Sequence, residues 1–206
     1  MDLKTAIESR ISVREFTDQE VDTEDLKTII RLAGFAPSIN NYQPWKFYAI
    51  TDKRMLKEMV EYVMKEIALL PESASRMAKT IKKQAAWYST FFLNAPMLLA
   101  LAGKAHESDI EKGVVLSHDE LERIKNYPDL QSAGACIQNL LLAATDLGYG
   151  TCWMTGPLYA RQAIEGLLSI QEPWRLIAFV AIGHPLKSEK SVRIKRDISE
   201  EIIFIG

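Results

Sequence analysis

The feature that most constrains this chain is the stretch Gln131–Leu147. Ala133, Cys136, Ile137, Leu140, Leu141, Ala144 and Leu147 recur at spacings of three and four, which marks an α-helix with a wide apolar stripe. A stripe that wide needs cover from more than one neighbour, so this helix is central and the other elements are built around it. Gly148 and Gly150 end it. TCWMT, residues 151–155, then reads as a strand, so the central helix feeds directly into a sheet.

The remaining elements supply that sheet and its cover. WKFYAIT (45–51), MLLALA (97–102) and WRLIAFVAI (174–182) are short runs rich in β-branched, aromatic or apolar residues, and they read as strands. Leu3, Ala6 and Ile7 form a short helical stripe that ends near Arg10. Asp22 stands as an N-cap before Leu26, Ile29, Ile30 and Ala33, whose helix stops before Pro37. Residues 53–70, 72–94 and 159–168 also read as helical. The aromatic density of AAWYSTFFLNAP within the second of these fits a core or a subunit interface better than a cofactor contact. Residues 104–128 are polar and long for a connection, a length typical of a lid or binding loop, with a short helix expected at His118–Lys125. Without repeats, low-complexity tracts or a linker, 1–206 reads as one domain.

Composition narrows the partners. A net charge of −2 gives no basic excess for sequence-independent nucleic-acid binding. No apolar run reaches the ~18 residues of a membrane span, and MDLKTAIESR has no apolar signal core, so a cytoplasmic protein is expected. Cys136 and Cys152 sit in apolar surroundings and are expected as buried free thiols. His106, His118 and His184 lack zinc-ligand spacing, so no metal site is expected.

Three segments carry polar chemistry. ESRISVREF (8–16) places Arg10, Ser12 and Arg14 at alternate positions, on one face of an extended segment. Two forked guanidiniums flanking a hydroxyl suit a phosphate or a polyhydroxyl chain, although such a pair also fits a solvated surface. APSINNYQPW (36–45) is an ordered loop with Ser38, Asn40, Asn41 and Gln43 as hydrogen-bonding groups. Gly156–Pro157 forms a tight turn after the third strand. The spacing Gly148-x-Gly150 is not a dinucleotide fingerprint, because it lacks the third glycine and runs from helix to strand.

Taken in order, R-x-S-x-R (10–14), APSxxNxQPW (36–45), Gln138-Asn139, LGYG (147–150), Thr155-Gly156-Pro157 and a late G-x-P (183–185) followed by Arg193 resemble the FMN-dependent nitroreductase family, from about Lys4 to Arg196. The resemblance implies an α+β fold with a mixed, mostly antiparallel central sheet flanked by helices. It also implies a homodimer with an exchanged C-terminal segment, residues 197–206 reaching the partner, and FMN at the interface. By the same resemblance, Arg10, Ser12 and Arg14 bind the phosphate and ribityl chain, with Arg193 completing the phosphate site and Lys195 near it. Pro37, Ser38 and Asn41 line the flavin, and Gln138 contacts it from the central helix. Met154, Thr155 and Gly156 lie at the isoalloxazine edge, while Gly183 and His184 lie toward the phosphate end. No protein acid or base is assigned, since the cofactor carries the chemistry. The implied activity passes electrons from NADH or NADPH through flavin N5 to a nitroaromatic, quinone or related small-molecule acceptor in a ping-pong cycle. Two rivals stand beside it: a dehalogenase- or flavin-fragmenting-type enzyme of the same superfamily, and a flavin-binding module without turnover.

Overall fold

The computed structural model describes residues 1–71, 73, 75–106, 109–186, 195–198 and 201–205. Seven α-helices and four strands are found among them: α1 (Leu3–Ser9), α2 (Thr23–Ala33), β1 (Trp45–Ile50), α3 (Lys53–Leu69), α4 (Arg76–Thr90), β2 (Met97–Lys104), α5 (His118–Ile124), α6 (Pro128–Asp146), β3 (Gly150–Met154), α7 (Arg161–Leu167) and β4 (Trp174–Gly183). Short 3-10 turns occupy Ile39–Asn41, Phe91–Asn94, Asp109–Lys112 and Gly156–Ala160.

The sheet order is β1-β2-β4-β3, and all three pairings are antiparallel. The parallel component implied by the resemblance is reduced, among the described residues, to one isolated bridge, Ser12 to Thr151. Both faces are covered. Leu98, Ala100 and Ala102 of β2 belong to a core cluster with Leu56, Met59, Val63 and Ile67 of α3. Met97, Leu99 and Leu101 belong to a second cluster with Ile29 of α2 and Ile137 and Leu140 of α6. This period-two division is what a strand buried on both sides requires. The alternation breaks once. Leu101 pairs with Ala178 but Ala102 with Leu176, so Ile177 is an extra residue, and it packs on the same face as Ala178.

The expected element types stand, with shifts at the ends. The central helix begins at Pro128, three residues earlier than its stripe indicates, because proline at the first helical position loses no bonded N–H. Its left-handed predecessors Asn126 and Tyr127 turn the chain sharply out of α5. The α2 cap forms as expected, with Asp22 accepting from the N–H groups of Glu24 and Asp25 at 2.8 and 3.0 Å. The aromatic stretch divides: Phe91 and Phe92 are buried, whereas Trp87 and Tyr88 are exposed. Both cysteines are buried and reduced, outside any disulfide among the described residues, and burial pushes the Cys136 thiol up to about 12. Residues 202–205 have no regular structure, and Ile203, Phe204 and Ile205 are 83–93% exposed.

Candidate functional site

The segment from Arg10 to Thr17 behaves as a strap laid along the free edge of β3. Its Val13 N–H donates to the Thr151 carbonyl at 2.9 Å, beside the Ser12–Thr151 bridge. Gly150 makes this approach possible, since a Cβ there would lie 2.8–2.9 Å from three carbons of Val13. At the far end Phe16 bridges Pro185, the Thr17 N–H donates to the His184 carbonyl at 2.9 Å, and the Leu186 N–H donates to the Glu15 carbonyl at 3.0 Å. With both ends pinned, side-chain direction is set: Val13 and Phe16 enter the core, while Arg10, Ser12 and Arg14 remain partly accessible.

Arg14 is the most constrained of the three. Its guanidinium carbon lies 5.4 Å from the Tyr88 ring centre and 5.9 Å from that of Phe91, within cation–π distance of both rings. Nη1 reaches the Ser12 carbonyl only at 3.4 Å, and the buried Nε has no partner among the described residues. An unmet buried donor of this kind costs ~1–3 kcal/mol, so it favours an acceptor arriving from outside the chain. A phosphate beside Arg14, with Arg10 and the Ser12 hydroxyl near it, is such an acceptor, and the donor set fits the anionic end of FMN.

Beyond β3 the chain enters the turn at Gly156. A Cβ at this glycine would fall 2.4 Å from Ser89 Oγ and 3.0 Å from Ser89 Cα. The glycine is therefore required first by contact with α4, the helix that also carries Tyr88. Arg14 and Gly156 thus flank the same end of α4. Met154 is buried in the core, so its side chain is withdrawn and only its backbone can serve a ligand. Thr155 is exposed and lines a cavity of about 430 Å³ with Tyr127, Leu158, Arg161 and Arg175. Asp119, Glu122 and Arg123 of α5 form another wall of this cavity. Gln138 is exposed on α6, one turn past Gly134, whose face lies against Trp153 of β3.

Pro37, Ser38 and Asn41 are elsewhere. Their loop leads into the N-terminal end of β1 and is tied to α6 by the Ile39 N–H donating to Ser132 Oγ at 3.1 Å. β1 and β3 are opposite edges of the sheet, and Trp45 pairs with Gly103 while Thr151 lies across from Ile182 and Met97. Strand spacing and rise separate these two corners by about 25 Å. One chain therefore carries Arg10, Ser12 and Arg14 on one strap and sets Arg14 and Gly156 against neighbouring residues of α4, whereas Pro37, Ser38 and Asn41 lie in the loop before β1. Arg193 lies outside the described residues.

Tyr88, Ser89 and Trp153 were not among the expected site residues. The signal for Tyr88 was present: Trp87 and Tyr88 fall off the stripe set by Ala86, Ser89 and Phe92. An aromatic pair outside the buried stripe of an amphipathic helix is a surface meant to be used.

No helix of the described residues is long and apolar enough to cross a membrane. A BluB-like flavoprotein from Clostridium difficile 630 superposes with a TM-score of 0.87 at 30% identity, each chain covered in full. A protein of Archaeoglobus fulgidus, named provisionally as an NADH dehydrogenase/NAD(P)H nitroreductase, is 28% identical over 89% of this chain and 85% of its own. The iodotyrosine dehalogenase 1 homolog of Caenorhabditis elegans is 26% identical over 94% of this chain, which spans 58% of that relative. The nitroreductase family model matches residues 7–184, a span that holds the strap, the loop, the central helix and the Gly156 turn, and on this the chain belongs to the nitroreductase family.

Proposed function

We propose that the chain is an FMN-dependent oxidoreductase that takes electrons from NADH or NADPH and passes them to a nitroaromatic, quinone or related small-molecule acceptor. The observation that carries this reading is the Arg14 fork, held over Tyr88 with a buried Nε that no group among the described residues satisfies. Bound FMN supplies hydride acceptance and onward electron transfer. The chain's own residues bind, orient and shield. Arg14, Arg10 and Ser12 hold the phosphate end, with Arg193 added from the C-terminal segment. Backbone at Thr155 and Gly156 faces the ring edge, and Gln138 approaches from α6. Pro37, Ser38 and Asn41 reach the cofactor from a second copy, because their own corner is too far from the strap. The working unit is thus a homodimer, joined by residues 197–206 of each chain laid on the other. Residues 104–128 act as the lid of a single cytoplasmic domain.

The bound flavin should appear as a yellow preparation that NADH or NADPH bleaches without oxygen. A colourless protein that takes up no added FMN would sink the reading, and a yellow one that neither donor bleaches would leave a flavin-binding module. A second reading is favoured by the dehalogenase homolog and the BluB-like flavoprotein, together with the ordered helix α5 at the cavity wall. It keeps FMN but assigns reductive dehalogenation or flavin fragmentation. Turnover of a halotyrosine in excess of a nitroaromatic would select the dehalogenase.

A further inference from the structure

The loop between α5 and α6 creates a cluster that neither helix shows alone. Asn126 and Tyr127 are both left-handed, and the Tyr127 N–H donates to the Glu122 carbonyl at 2.6 Å. This tight reversal lays the start of α6 against α5. Asp129 then meets His118 and Glu122, which share a helical face at a spacing of four. One ligand atom from each of the three lies within 4.8 Å of the others.

Glu122 and Asp129 are each only 5% exposed. Glu122 Oε2, Asp129 Oδ1 and His118 Nε2 are all buried without a hydrogen-bond partner among the described residues. Two such carboxylates beside one imidazole, whose Nε2 lies 3.8 Å from Asp129 Oδ2, are a costly arrangement unless a proton or a metal cation joins them. The remaining atoms are already arranged to orient ligands. The His106 N–H donates to Asp129 Oδ2 at 3.0 Å, and Glu111 lies 3.4 Å from His118 Nδ1. A carboxylate at Nδ1 holds the proton there and leaves Nε2 free to bind, as outer partners do for metal-bound histidines.

We infer that His118, Glu122 and Asp129 bind a divalent transition-metal cation of the Zn²⁺ class, which clamps the 104–128 segment to the start of α6. One imidazole with two carboxylates suits such an ion better than Mg²⁺ or Ca²⁺, which take oxygen ligands alone. Bonds of ~2.0–2.2 Å need the three side chains to close by about an ångström, within side-chain freedom. Histidine spacing could not reveal the site, because it uses one histidine. It does not depend on flavin binding.

The test uses full-length protein stripped with chelator and titrated with Co²⁺ as a coloured probe, then with Zn²⁺ in competition. One equivalent of Co²⁺ should produce a ligand-field spectrum, and Zn²⁺ should displace it and raise the thermal midpoint. Glu122→Gln and Asp129→Asn should each abolish the spectrum while their metal-free midpoints equal or exceed the parent's, since each removes a buried charge. Glu111→Gln should keep the spectrum with ~10–100-fold weaker affinity. Absence of stoichiometric Co²⁺ binding, binding unchanged in both carboxamide variants, or an equal response to Mg²⁺ would each overturn the inference.

Discussion

The Arg10–Thr17 strap and the Pro37–Gln43 loop are both short, irregular and polar, yet they are held in opposite ways. The strap is fixed by distant backbone, at Thr151 on one side and at His184 to Leu186 on the other. Its side chains are left over for other work, and Arg14 Nε is the clearest case. The loop is fixed mostly by itself. The Asn41 N–H donates to the Ser38 carbonyl at 3.0 Å, the Gln43 N–H to Ser38 Oγ at 3.0 Å, and Gln43 Nε2 to Asn41 Oδ1 at 3.0 Å. Asn40, Asn41 and Gln43 all adopt positive φ, a conformation that costs free energy and persists when surroundings enforce it. A segment held by others offers its side chains, whereas a segment held by itself offers its shape. Under the proposed function, two such surfaces on opposite corners of one sheet make a complete site when a second copy joins them.

The largest test of that comparison removes the proposed junction. Deleting Ile202–Gly206 takes away a highly exposed apolar tail, and the proposed dimer should dissociate and lose FMN with it. Light scattering on a dilution series, with the flavin-to-protein absorbance ratio, reads both. A truncated protein that stays dimeric and loaded would break the link between tail and site.

The next test separates the two corners. Arg14→Ala should weaken FMN binding by ~1.5–3 kcal/mol, the range for a hydrogen bond to a charged partner. Asn41→Ala should also weaken it by opening the loop. Mixed under exchange, the two variants should recover about half of the parental FMN sites in heterodimers, because one of two sites then has both strap and loop intact. No recovery would place strap and loop in the same chain's site.

Gly156 sharpens the strap side. Its contact with Ser89 predicts that Gly156→Val lowers stability by ~1–3 kcal/mol through overpacking, read by denaturant unfolding. Gly156→Ala should be milder, and Ser89→Gly should relieve part of it. An unchanged midpoint in Gly156→Val, with slower reduction by NAD(P)H, would instead return the glycine to the flavin edge.

The smallest effect tests the core that both corners share. The Cys136 thiol is pushed up to about 12, so above the ordinary thiol range the unfolded chain ionises while the folded one does not. Stability should therefore fall as pH rises from ~9, by at most ~1.4 kcal/mol per unit, and the Cys136→Ala variant should lack that slope. Native protein should also resist thiol reagents until it unfolds.

Local periodicity made much of the fold legible. The stripe of α6, the Asp22 cap and the apolar runs of β2 and β4 each follow from residues within a few positions of one another, where side-chain direction repeats every 3.6 or 2 residues. The R-x-S-x-R spacing similarly identified residues with side chains to spare. What sequence could not order is the sheet. β1-β2-β4-β3 is settled by which long-range pairings bury both faces, and only that order sends the loop and the strap to opposite corners. The withdrawal of Met154, the contact of Gly156 with Ser89 and the meeting of His118, Glu122 and Asp129 have the same origin. Each depends on packing between elements far apart in the chain or across a left-handed turn, and no local period encodes which side chains packing leaves buried without a partner.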